Sequence, residues 1–266
     1  MHAVHTSTHA QATIDEAGIG TLQLLEAGRL NIVGSAAIAD LRAALQGLAA
    51  EPALRVLVLR GTGERAFIGG ADIGEMVGLT PASAEIFIAR LAGLCDAVAQ
   101  MPVPVIARLP GWCLGGGLEV ALACDLRLCD DSAMFGMPEV KVGIPSVIHA
   151  ALLPRLLGQA RSDWLLLCCE NIDAARAEAW GLVHERCAVG QLDALVNQRA
   201  TALAALPPQA LRQQKRLLRH WQTVPLAQAV RDSIGEFALA YATGEPQQHM
   251  GAFMARKAAK RGRRGS

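Results

Sequence analysis

The chain predicts an α/β protein, with strand–strand–helix units over roughly its first two-thirds and a helical C-terminal region after them. Short apolar runs with strand character alternate with helix-period segments up to about residue 160. Two glycine clusters, in "FIGGAD" (67–72) and "CLGGGLE" (113–119), each follow a strand pattern and open a helix pattern. Beyond residue 160 the apolar spacing is almost entirely helical.

In chain order, Thr13–Glu16 and Gly20–Leu25 read as strands around the turn dipeptide Ala17-Gly18. Ser35 is placed to cap a helix to Ala49, with Ile38, Leu41, Leu45 and Leu48 along one face. Leu54–Leu59 is a strand expected to be buried on both faces, and Gly61–Met76 is a glycine-rich loop closing into a short helix. Pro81 opens a helix to Gln100. Pro102–Leu109 is a strand, Gly116–Cys124 a helix and Asp125–Asp131 a strand. An irregular extended segment (133–145) leads into helical Val147–Leu157. Helices follow over Ala160–Cys169, Ala174–Trp180, Gln191–Ala205, Gln209–Trp221 and Pro225–Thr243, broken by a strand at Leu182–Cys187. No low-complexity linker occurs, so a boundary near Asn197 separates a core of residues 1–196 from a helical appendage of residues 197–266.

Composition narrows the function. Of 266 residues, 52% are apolar and 18% charged, with a net charge of +1, which gives nucleic acid or a membrane surface no claim as main partner. Aromatics at 4% are too sparse for a base-stacking platform. The seven cysteines include no CxxC pair, which argues against a disulfide framework or a thiolate metal site and for buried thiols in a reducing compartment. No secretory signal or membrane-length apolar run is found, and the expectation is a soluble cytoplasmic protein. His2, His5 and His9 are expected in a frayed tail rather than around a metal.

The glycine clusters carry the chemistry. Each glycine inside a helix costs about 1 kcal/mol relative to alanine, yet three stand together before Glu119. Glycines let a ligand approach the backbone, and the first amides of a helix lack internal partners. Two such loops aimed at one point would offer two N–H donors to one oxygen, an oxyanion hole. Each cluster alone reads rather as a tight turn. Glu119 and Glu139, twenty residues apart, are candidate acid–base carboxylates. Spacing leaves open whether they meet.

"RAFIGGADIGEM", "GWCLGGGLEVALACDLRL" and "FGMPEVKVGIP", followed by "IDAARAEAWGLVHERC", resemble the blocks of the enoyl-CoA hydratase/isomerase (crotonase) family in order and spacing, over nearly the whole chain. The resemblance implies a crotonase-like spiral of ββα units with a helical C-terminal region and a homotrimeric or homohexameric assembly. It implies that Ala71 and Gly116 donate to a thioester oxygen and that Glu119 and Glu139 are the catalytic pair. It places Ala66, Ile68, Gly70, Asp72, Ile73, Gly115, Phe253 and Lys257 along the substrate, the last two near the CoA nucleotide of a neighbouring subunit. It implies an acyl-CoA thioester as substrate, hydration of a 2-enoyl-CoA or its reversal as the reaction, and no metal or redox cofactor.

The sequence departs from the family where Ser146-Val147-Ile148-His149 replaces a glycine-rich continuation, and at Met137, where a polar residue is frequent. His149 reads as a capping or surface residue, with a polar role in the site as the alternative. Arg29 reads equally as a CoA-phosphate contact or a solvated loop residue. The basic residues Arg256, Lys257, Lys260, Arg261, Arg263 and Arg264 read as a solvated tail. An isomerase using Glu139 alone, and a non-catalytic CoA- or RNA-binding scaffold, are the competing functions.

Overall fold

The structure is a computed structural model that describes residues 1–262, with side chains through Lys257. Arg263 and Arg264, and the side chains of Lys260 and Arg261, lie outside the described residues.

The first unit, Met1–Ala204, contains thirteen strands in three sheets among the described residues. In chain order these are β1 (His2–Thr6), β2 (Ala10–Ile14), β3 (Ile19–Leu24), β4 (Ile32–Val33), β5 (Val56–Arg60), β6 (Ala66–Ile68), β7 (Gly70–Ala71), β8 (Val105–Leu109), β9 (Trp112–Leu114), β10 (Leu126–Asp130), β11 (Met134–Gly136), β12 (Ile172–Asp173) and β13 (Glu185–Cys187). The seven-stranded sheet has the order β1-β2-β3-β5-β8-β10-β13, antiparallel up to β3 and parallel from there on. A second sheet, β12-β11-β9-β6, and the β4-β7 pair complete the spiral of the crotonase fold.

The helices of this unit are α1 (Ser35–Ala49), α2 (Ile73–Met76), α3 (Pro81–Ala99), α4 (Gly116–Ala123), α5 (Leu153–Leu157), α6 (Gln159–Asp163), α7 (Ala174–Trp180) and α8 (Leu192–Ala204). Strand β5 is buried on both faces, as its uninterrupted apolar run predicts. Leu57 and Leu59 join α1 and α3 in the main core, whereas Val56 and Val58 turn to Leu192, Val196 and Ala200 of α8. The expected boundary after residue 196 falls inside α8, and this helix belongs to the first unit because its apolar face closes the sheet's second side.

Two local expectations are corrected. The histidine-bearing N-terminus is a strand rather than a frayed tail, because β1 pairs with β2 from His2↔Ile14 to Thr6↔Gln11 and Val4 packs on the core. Ser35 is the first residue of α1 and not its cap. The cap comes from forty residues away: Glu75 accepts the Ser35 N–H at 2.8 Å and also the Ser35 hydroxyl.

The second unit, from Ala205, contains α9 (Pro208–Trp221), α10 (Leu226–Tyr241) and α11 (Glu245–Gly262). Helices α9 and α10 form an antiparallel hairpin laced by Gln213–Glu236, Arg216–Glu236 and His220–Asp232 contacts. Glu245 caps α9 by accepting the Gln209 and Ala210 N–H groups at 3.0 and 2.9 Å. The tail read as solvated is therefore helical through Gly262, with exposed side chains up to Lys257. No helix among the described residues is long and apolar enough to cross a membrane.

Candidate active site

The first glycine loop joins β6 to α2. Gly69 has no room for a side chain, since a Cβ there would lie 2.8 Å from the Leu30 carbonyl oxygen. Gly70 takes a φ of +134°, which L side chains rarely adopt. The Asp72 N–H donates to the Val33 carbonyl at 3.0 Å, so strand alternation turns the Ala71 N–H away from β4. Asp72 itself is occupied as the cap of α2, accepting the Gly74 and Glu75 N–H groups at 2.8 and 3.3 Å.

The second loop joins β9 to α4. Gly115, at φ +51°, donates its N–H to the Gly136 carbonyl at 2.9 Å. The Glu119 N–H donates to the Gly115 carbonyl, so the N–H groups of Gly116, Gly117 and Leu118 have no partner within the helix. A Cβ on Gly117 would lie 2.1 Å from the Ile68 carbonyl oxygen, so the helix start presses directly on the end of β6. A Cβ on Gly116 would lie 3.9 Å from the Ala71 nitrogen. The two candidate donor loops thus meet.

The carboxyls meet here too. Glu119 lies in the first turn of α4, only 3% exposed, and its Oε1 accepts the Ala150 N–H at 3.1 Å. Burial pushes its pKa up to about 8; the Ala150 N–H opposes this and the charge on Glu139 adds to it. Glu139 opens a 3₁₀ turn, Glu139–Val142, after Pro138. Its Oε1 lies 2.5 Å from where a Cβ on Gly115 would stand, so the missing side chain makes its room. Its Oε2 accepts the Ser146 hydroxyl at 2.8 Å.

The far end of α4 is held as firmly. Buried Arg127 donates to the Cys124, Ala121 and Leu182 carbonyls at 2.8, 3.3 and 2.7 Å. A cation on the last carbonyls of a helix also complements its dipole. Behind Glu119, burial first and the Glu119 charge second push the Cys95 thiol upward, which leaves it inert.

The remaining expected residues are spread more widely. Ala66 and Ile68 are buried in β6, whereas Ile73 is 60% exposed at the start of α2. Phe253 and Lys257 lie exposed on α11 in the second unit. Arg29 is exposed, and Met137 is fully buried in the core. His149 pairs with Asp96 of α3 at 3.6 Å. Its neighbour Ile148 holds φ +40°, a strained conformation for a β-branched residue. No group of three or more candidate metal ligands occurs among the described residues. Sequence reasoning missed Ser146 as the partner of Glu139 and Glu75 as the strut between α1 and α2. The only signal for Ser146 was the departure at 146–149; Glu75 left none, its partner being forty residues away.

The fold and the paired glycine loops define a crotonase-type protein. The profile of the enoyl-CoA hydratase/isomerase family matches residues 15–260, and the chain belongs to that family. It is 32% identical over 243 residues to a probable enoyl-CoA hydratase of Rhizobium meliloti (strain 1021), covering 91% of this chain and 93% of the relative. It is 36% identical over 195 residues to the mitochondrial enoyl-CoA hydratase domain-containing protein 2 of Bos taurus, covering 73% of this chain and 66% of that protein. Among solved structures, a putative enoyl-CoA hydratase from Streptomyces coelicolor A3(2) superposes with a TM-score of 0.87 at 33% identity, covering 93% of this chain and 92% of that one.

Proposed function

We propose that this chain is an enoyl-CoA hydratase that adds water syn across a 2-enoyl-CoA thioester and catalyses the reverse dehydration. One observation carries this reading: a buried Glu119, its pKa raised to about 8, and a half-buried Glu139 stand beside the two glycine loops, which approach each other at Ala71 and Gly116.

In the dehydration direction, Glu139 takes the α-proton of a 3-hydroxyacyl thioester. Negative charge moves onto the thioester oxygen, where the Ala71 and Gly116 N–H groups receive it. Glu119 then gives its proton to the departing hydroxyl, and water leaves. Hydration runs the same path backwards, with Glu119 deprotonating the water and Glu139 supplying the α-proton. One proton is shared by the two carboxyls in either direction. The scheme uses no metal or redox cofactor; coenzyme A is part of the substrate. Trimeric or hexameric assembly and a cytoplasmic location belong to the same proposal, and seven cysteines with no disulfide among the described residues suit a reducing compartment.

The test is incubation with a panel of 2-enoyl-CoA thioesters in ¹⁸O-labelled water. Labelled 3-hydroxyacyl-CoA is expected, with both Glu119→Gln and Glu139→Gln slower by about 10²-fold or more. A wild type that binds the thioesters yet incorporates no label refutes the reading. Double-bond migration that survives Glu119→Gln would favour an isomerase that uses Glu139 alone.

A further inference from the structure

Ser146 stands just after Pro145, at the first position where the sequence leaves the glycine-rich continuation of its family. Its hydroxyl donates to Glu139 Oε2 at 2.8 Å. The other oxygen of the same carboxylate, Oε1, occupies the notch left by the absent side chain of Gly115. One carboxylate is therefore fixed at both ends, by a donor on one side and by shape on the other. Glu139 needs such restraint. It projects from a turn of only four residues, and a half-buried glutamate otherwise keeps much of its rotamer freedom.

Resting on the reading that Glu139 exchanges the α-proton, we propose that Ser146 is a positioning residue whose hydroxyl holds the Glu139 carboxylate against the second glycine loop, with Oε1 presented to the reacting carbon. Ser146 acts only through Glu139. A glycine here could supply neither the donor nor the restraint. Glu119 on α4 acts electrostatically with Glu139, and Lys141 stands on the same turn as Glu139. The π-helical turn Trp164–Cys168, which packs against that turn, contributes only Cys168 as a titratable group.

The experiment compares wild type with Ser146→Ala and Ser146→Thr, measuring kcat and KM separately on the best thioester of the panel. In parallel, infrared difference spectra against Glu139→Gln isolate the carboxylate bands of Glu139. Ser146→Ala is expected to lower kcat about tenfold with KM nearly unchanged, the loss of one hydrogen bond to a charged acceptor. It should also shift the Glu139 bands, and Ser146→Thr, which keeps the hydroxyl, should restore both. Unchanged bands and kcat in Ser146→Ala overturn the proposal, as does a Ser146→Thr variant as impaired as the alanine. The infrared comparison needs no turnover. A wild type inactive on every thioester would sink the proposed function, while bands unmoved in Ser146→Ala would separately sink the positioning role.

Discussion

Glu119 makes a stability prediction that is independent of any substrate. Burial raises its pKa from the ordinary value of 4.5 to about 8 in the folded chain. A raised carboxyl contributes fully below its unfolded value, and that contribution is lost as pH climbs through the folded one. Between those limits the folded state keeps a proton that the unfolded state has released, so stability falls by about 1.4 kcal/mol per pH unit. Over the whole window the loss is about 5 kcal/mol, at 1.36 kcal/mol per unit. Little solvent screening reduces it, because the residue is 3% exposed. Glu119→Gln removes the titration while its side-chain carbonyl can still accept the Ala150 N–H. Urea unfolding of both proteins at about pH 5.5, 6.5 and 7.5 gives the comparison. The stability of the variant relative to wild type should improve by about 3 kcal/mol across that range. A difference that stays constant with pH would refute the argument that Glu119 is buried as a neutral acid.

Two further outcomes follow from the same geometry. Gly117→Ala places a Cβ 2.1 Å from the Ile68 carbonyl oxygen, a backbone atom, whereas Gly116→Ala meets only the end of the Leu91 side chain at 2.8 Å. Thermal unfolding should show Gly117→Ala to be the more destabilised, by at least the roughly 1–3 kcal/mol of an overpacked site, and equal midpoints would contradict it. Dehydration requires the protonated form of Glu119, so the rate with a saturating 3-hydroxyacyl-CoA should fall by about tenfold per pH unit above about pH 8. A rate still level well beyond that pH would remove Glu119 as the acid.

What the sequence made legible was whatever local chemistry states within a few residues. Gly69-Gly70 before Ala71 and Gly115–Gly117 before Leu118 marked two strand-to-helix loops because only glycine suits positive φ or backbone pressed against backbone. The uninterrupted apolar run of β5 announced burial on both faces for the same reason: every position faces something. What stayed hidden is held across long separations. Nothing near Ser35 announces that Glu75 caps its helix, and nothing near the histidines of β1 announces that β2 will pair with them. The meeting of Glu119 and Glu139 required both the α4 start and the 3₁₀ turn to be placed by the second sheet, where β9 and β11 run side by side.

The segment 146–149 lies between these cases. Its sequence showed a departure from glycine without showing what the larger side chains do. In the structure they do unlike things over four residues: Ser146 donates to Glu139, Ile148 takes a strained left-handed backbone, and His149 pairs with Asp96. The strain at Ile148 comes two residues before Ala150, whose N–H holds Glu119. A conformation that costs about 1–3 kcal/mol at a β-branched residue persists only when its surroundings over-determine it. Here those surroundings are Glu139, held by Ser146 before Ile148, and after it Asp96, paired with His149, and Glu119, held by the adjoining Ala150. Ser146 and the adjoining Ala150 thus tie both carboxyls to residues 146–150, and substitutions within that stretch should disturb Glu119 and Glu139 together.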